Sequence, residues 1–195
     1  LAADPTRWQA RGGKEAKLVF PPDQKTPITG KDTLATPWRV VMCAEELAPI
    51  VESDMIRNLN PPSPVRDTSW IRPGRVAWSW WSDHRSPRSY DTQKRFVDFA
   101  AEMSWEYVLV DEGWTAWEKR VRDLVKYARK KNVGILLWKY SRDVTDKDFR
   151  KWSDWGIAGV KLDFIQSDSQ ATFRKIYDPL LEMTARHRLL VNFHG

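Results

Sequence analysis

From residue 75 onward, short apolar runs alternate with segments whose apolar side chains recur three and four positions apart. The short runs predict strands at 76–81, 107–110, 133–138, 158–164 and 189–193. The segments between them predict helices at 92–103, 117–131, 146–155 and 169–187; in the second, Val121, Leu124, Val125 and Ala128 form one apolar face. The period of ~25–30 residues is that of a strand–helix unit with short loops. Consecutive units of this kind require parallel strands and right-handed crossovers, in a closed barrel or an open doubly wound sheet.

The chain before residue 65 has a different rhythm. Prolines are frequent there (Pro21, Pro22, Pro27, Pro37, Pro61, Pro62, Pro64), and the apolar runs Leu18-Val19-Phe20 and Trp38 to Cys43 are short. Proline cannot donate to a central ladder, so these runs read as short antiparallel or edge strands. Residues 45–58 predict a short helix with Leu47, Ile50, Val51 and Ile56 on one side, despite Pro49. A stiff linker follows at 60–64. The expected division is 1–64, the end of a β-rich domain with its linker, and 65–195, a strand–helix domain.

What leaves the carboxyl end of each strand favours the barrel. Trp81 and Asp83 follow the first strand, Asp111, Glu112 and Trp114 the second, and Lys139 the third; Asp163 lies on the fourth, and Asn192 and His194 close the fifth. Polar groups at every strand end suit a barrel mouth, whereas an open sheet gathers them at one switch point. No glycine-rich phosphate loop follows the first strand. The fold class expected is therefore α/β: a partial (β/α)₈ TIM barrel of five strands preceded by the end of a β-rich domain.

The fourth strand carries the sharpest chemical signal. Side chains two apart on a strand share a face, so Lys161 and Asp163 are neighbours in a segment that otherwise reads as buried. An ammonium beside a buried carboxylate keeps it ionised, as a carboxylate nucleophile requires. The same pair serves equally as a structural ion pair at the strand's end. Asp111 and Glu112 stand where they could accept hydrogen bonds from sugar hydroxyls or cap the next helix. Trp80, Trp81 and Trp114 are flat surfaces for a pyranose ring, although alternation sends Trp78 and Trp80 to one face and Trp81 to the other, leaving at least one as core. Trp138, Trp152 and Trp155 read as packing. His194 stands at the mouth, and His187 reads as a solvated helix cap.

Composition narrows the choice only a little. The chain has 195 residues, 12 of them tryptophan, and a formal net charge of +6. Its Lys and Arg residues are interleaved with acids, which argues for solubility and against nucleic acid as the partner. No apolar run is long enough to span a membrane, and no signal peptide is present in this sequence. Cys43, the single cysteine, excludes an intrachain disulfide and reads as a buried thiol in a strand. No spacing makes a transition-metal site, so no metal ligand is assigned.

In combination, the stretches Val76-Ala77-Trp78-Ser79-Trp80-Trp81-Ser82-Asp83, Tyr107-Val108-Leu109-Val110-Asp111-Glu112-Gly113-Trp114, Gly159-Val160-Lys161-Leu162-Asp163-Phe164 and Asn192-Phe193-His194-Gly195 resemble glycoside hydrolase family 97. So does the region from Thr36-Pro37-Trp38-Arg39 to Pro61-Pro62-Ser63. The resemblance implies a calcium-dependent exo-acting α-glycosidase with an N-terminal β-sandwich and a catalytic barrel, secreted to the periplasm or outside a bacterial cell. Its substrate would be an oligosaccharide ending in an α-linked sugar. An aspartate at position 163 marks the retaining, α-galactosidase-like branch, with Asp163 as nucleophile; the inverting α-glucosidase-like branch lacks it. Lys161, Asp83, Trp81, Asp111, Glu112, Trp114 and His194 are the substrate-binding residues expected. The acid/base residue and most calcium ligands are expected beyond Gly195. The alternatives are an α-glucosidase of the same family, a non-catalytic carbohydrate-binding barrel, and an unrelated doubly wound hydrolase or phosphotransferase. The last lacks a second aspartate at Ile165.

Overall fold

The computed structural model describes residues 7–11, 15–19, 40–59, 61–167, 169 and 172–194. The chain forms two units, one of residues 1–66 with 167–177 and the other of residues 67–166 with 178–195.

In the first unit, β1 (Arg7–Arg11) and β2 (Glu15–Val19) pair antiparallel, with Arg7 opposite Val19. The helix expected over 45–58 is instead two single turns, α1 (Ala48–Val51) and α2 (Met55–Asn58). Pro49 sits in the first turn of α1, where a missing N–H costs nothing, and the chain restarts rather than continuing. Leu47, Val51 and Ile56 are exposed in this unit, so the predicted apolar face is not a packed one. Residues 40–44 have no regular structure and Cys43 is exposed, which corrects the buried strand thiol. Trp38, Arg39 and Asn60 lie outside the described residues. The helix expected over 169–187 contains a π-helical turn, Phe173–Tyr177, in this unit.

The second unit holds five parallel strands in the order β3 (Val76–Trp78), β4 (Tyr107–Val110), β5 (Gly134–Tyr140), β6 (Gly159–Asp163) and β7 (Leu190–His194). Sequential strands are neighbours throughout, and the sheet curls as half of a barrel. Helices α3 (Tyr90–Glu102), α4 (Val121–Arg129), α5 (Asp146–Trp155) and α6 (Asp178–Arg186) form the crossovers. Ser89 caps α3 by accepting the Thr92 N–H, and Asp148 reaches back to the Thr145 N–H at the start of α5. The predicted face of α4, Val121, Leu124, Val125 and Ala128, is fully buried. The first predicted strand is shorter than expected because the chain turns into a 3₁₀ helix at Ser79–Trp81.

Strand register sorts the sheet into two faces. Val108, Val110, Ile135, Leu137, Val160 and Leu162, all buried, share the face opposite to the one that carries Lys161 and Asp163; Lys139, paired with Leu162, ends this face. The other face is built in rows. Trp78, Leu109, Leu136, Gly159 and Leu190 lie side by side as an apolar row. One step towards the carboxyl ends the row is Trp138, Lys161 and Asn192, and the next is Tyr140, Asp163 and His194. Gly159 is what lets the apolar row close: a Cβ there would lie 2.5 Å from Leu190 Cβ and 2.6 Å from its carbonyl oxygen.

Candidate functional site at the strand ends

Lys161, Asp163 and Asp111 are 4%, 5% and 3% exposed, and together they form the charged floor above the apolar row. Lys161 Nζ lies 3.0 Å from Asp111 Oδ2 and 3.3 Å from Asp163 Oδ2. It also sits 4.3 Å from the centre of the Trp78 ring. One ammonium thus serves two buried carboxylates and an aromatic face. Such a group is stable because every charge has an opposite partner at contact distance; removing the ammonium would strand two carboxylates.

Each carboxylate is held the same way. Asp111 Oδ2 accepts the indole N–H of Trp78 at 2.7 Å, and its Oδ1 accepts the N–H of Glu112 at 2.8 Å. Asp163 Oδ2 accepts the indole N–H of Trp138 at 2.9 Å, and its Oδ1 accepts the N–H of Phe164 at 2.8 Å. Both tryptophans come from the strand that precedes the carboxylate's own. Phe164 adopts a left-handed backbone, φ 61°, which a non-glycine residue rarely takes. That strained turn directs its N–H back to the Asp163 carboxylate.

His194 distinguishes the two carboxylates. Its Nδ1 lies 2.9 Å from Asp163 Oδ1, and its side chain is 55% exposed. Burial pushes the Asp163 carboxyl up, but hydrogen bonds from Trp138, His194 and the Phe164 N–H, with the charge of Lys161, bring it below the usual carboxylate value. Asp163 is therefore an ionised carboxylate at neutral pH in a largely dry place.

The expected site residues separate into groups. Lys161, Asp163, Asp111 and His194 come together in one bonded cluster. Asp83 follows β3 and spends its carboxylate on its own turn, accepting the Arg85 N–H at 2.9 Å. Glu112 is exposed beside Asp111. Trp81 is 74% exposed, with its ring 5.2 Å from that of Trp78. Trp78, Trp80 and Trp81 do not alternate across a sheet, because β3 has already ended; their rings gather in one cluster. Trp114 departs from the expected sugar platform. It is 3% exposed, donates its N–H to the Trp138 carbonyl at 2.8 Å and meets Trp152 edge-on, so it has no free face.

Two residues not among the expected site residues belong to the cluster. Trp138 was expected as packing, yet its N–H reaches Asp163; Trp78 both donates to Asp111 and covers Lys161. The signal was present in the period of two: Trp138 precedes Tyr140 on the charged face, but which residue of the next strand it meets depends on register. His187 is not a solvated cap. Its Nε2 lies 2.9 Å from Asp146 Oδ1 on α5, and its side chain is mostly buried.

The donor set does not fit calcium. Among the described residues no group of three or more His, Cys, Asp and Glu could hold a metal ion. The Lys161 ammonium occupies the place between the two carboxylates that a cation would take, and calcium needs six to eight oxygens. Among the described residues no helix is long and apolar enough to cross a membrane.

Residues 70–195 match the family model described as Glycoside hydrolase 97, and residues 7–62 match Glycosyl-hydrolase 97 N-terminal. A "Probable retaining alpha-galactosidase" of Streptomyces bingchenggensis is 41% identical over 187 residues, covering 86% of this chain and 29% of that protein. The "Retaining alpha-galactosidase" of Bacteroides thetaiotaomicron is 33% identical over 180 residues, covering 82% of this chain and 27% of that protein. The chain thus spans under a third of the length of these relatives. A solved β-arabinopyranosidase is similar with 34% identity and a TM-score of 0.57, over 64% of this chain and 23% of that one.

Proposed function

The chain belongs to the glycoside hydrolase 97 family, and on that premise we propose that it forms part of a retaining α-galactosidase in which Asp163 is the nucleophile. The observation that carries this reading is a buried carboxylate kept ionised by four donors, with one oxygen towards the exposed side. The names of the two relatives supply the substrate class.

In the first step the Asp163 carboxylate attacks the anomeric carbon as its bond to the departing oxygen breaks, and a carboxylic acid protonates that oxygen. In the second, the resulting carboxylate takes a proton from water, the water oxygen bonds to the anomeric carbon, and Asp163 leaves. Asp111 is committed to Lys161 and Trp78 and is nearly inaccessible, so the acid/base role falls to another residue. We assign it to a position outside the described residues. Any calcium ligands belong there as well, and secretion is part of the same proposal; chelation of the full-length protein would test the first. The substrate proposed is an oligosaccharide with a terminal α-linked sugar.

The similarity to a β-arabinopyranosidase favours a second reading. A β-L-arabinopyranoside has the ring configuration of an α-D-galactoside without the hydroxymethyl group, so one nucleophile serves both. Relative kcat/KM on the two aryl glycosides decides between them.

The test of mechanism uses full-length protein. Asp163→Asn should lower kcat on the order of 10⁴-fold with substrate binding largely retained. Azide should restore turnover to Asp163→Gly and yield a glycosyl azide of inverted configuration. Near-normal turnover by Asp163→Asn, or first release of the β-anomer from an α-galactoside, would overturn the assignment.

A further inference from the structure

We propose that Trp138 is a positioning residue for Asp163: its indole N–H fixes Oδ2, so that Oδ1 is the attacking oxygen and the carboxylate departs readily in the second step. This rests on the reading of Asp163 as nucleophile.

Both bonds to Oδ2 come from buried side chains. Trp138 is 6% exposed, and its N–H lies 2.9 Å from Oδ2; Lys161 stands 3.3 Å from the same atom but is nearer to Asp111. Lys161 is therefore shared, whereas the indole N–H is directed at Asp163 alone. Trp138 is itself immobilised. It lies within β5, Trp114 donates to its carbonyl, and its ring meets Tyr140 edge-on at 4.6 Å. Oδ1, by contrast, faces the Phe164 N–H and the exposed His194. Oδ1 is thus the oxygen on the side of the exposed His194, away from the buried Trp138 and Lys161.

The consequence for the two steps is unequal. While the glycosyl–enzyme ester exists, Oδ2 is its carbonyl oxygen and carries little charge. As Asp163 leaves, Oδ2 regains charge and the N–H bond strengthens, so its benefit falls mainly on hydrolysis of the ester. In the first step the same bond lowers the basicity of the attacking group and gives little net acceleration. Positioning and leaving-group ability thus come from one donor.

The experiment uses full-length Trp138→Phe and an activated aryl α-galactoside, for which ester hydrolysis limits turnover. The loss of one hydrogen bond to a charged group corresponds to about 10- to 100-fold. We expect kcat to fall by that factor, KM to fall with it, and kcat/KM to change by less than about threefold. The glycosyl–enzyme should accumulate in mass spectra, and the acid limb of kcat/KM should move to higher pH because the ionised carboxylate has lost a donor. Replacing Trp138 by benzothienylalanine, which keeps the ring shape and removes only the N–H, should give the same pattern even if Trp138→Phe folds poorly. Equal falls in kcat and kcat/KM with an unmoved acid limb would overturn the proposal, as would wild-type kinetics from the benzothienylalanine protein. The azide experiment on Asp163→Gly reports separately on the nucleophile: its failure removes the premise, whereas its success with unchanged Trp138 kinetics removes only this inference.

Discussion

The ends of β4 and β6 carry two carboxylates in matching clamps, and the two have different surroundings. Asp111 and Asp163 each take an indole N–H from the preceding strand, a backbone N–H from the following residue and a share of Lys161. Only Asp163 has a histidine at its second oxygen, on the exposed side. The repeat shows how a parallel sheet holds charge: equivalent positions on two successive strand pairs, β3 with β4 and β5 with β6, offer equivalent donors. The histidine marks the difference between the copies: Asp163 is joined to an exposed side chain at the sheet's end, whereas Asp111 is held by Trp78, the Glu112 N–H and Lys161.

The largest effect expected from breaking this pair is on chemistry. Azide should rescue full-length Asp163→Gly and leave Asp111→Gly inactive, since only the first places a cavity where the nucleophile acted. Rescue of Asp111→Gly alone would exchange their roles, and rescue of both would remove the distinction between them. Next is Lys161→Met, which removes the shared counter-charge. It should destabilise the protein by about 3–5 kcal/mol, read from urea unfolding, because two buried carboxylates lose their partner. A cost below about 1 kcal/mol would mean that the indole and backbone donors suffice.

Gly159→Ala tests the floor beneath both clamps. Its Cβ would collide with the Leu190 backbone and should cost about 1–3 kcal/mol. Activity should fall with it, since Lys161 is two residues away on the same face. The smallest effect is on pH dependence. Asp163 has a folded value below its unfolded one, so its contribution to stability is present above the usual carboxylate pKa of about 4 and is lost as pH falls through the folded value. Urea unfolding of full-length protein between about pH 5 and 2 should therefore show a shallower decline for Asp163→Asn than for wild type. Parallel declines would place the acid sensitivity elsewhere, with the Asp146–His187 pair between α5 and α6 the next group to examine.

The sequence by itself determined the strand–helix alternation, the inner face of α4, and the adjacency of Lys161 and Asp163. These depend on periods of 2 and 3.6 residues, which operate within a single element. The bounds of β4 and α5 were readable for the same reason. Tertiary structure alone decided that Lys161 bridges to Asp111, 50 residues earlier, and that Trp138 rather than Trp114 serves the site. It also decided that β3 turns away after Trp78, gathering three tryptophans that alternation would have separated, and that Cys43 is exposed. The contacts of Lys161 and Trp138 depend on which rows of neighbouring strands align. Register is fixed by the packing of whole layers, down to the contact that Gly159 permits with Leu190, and no local pattern encodes it.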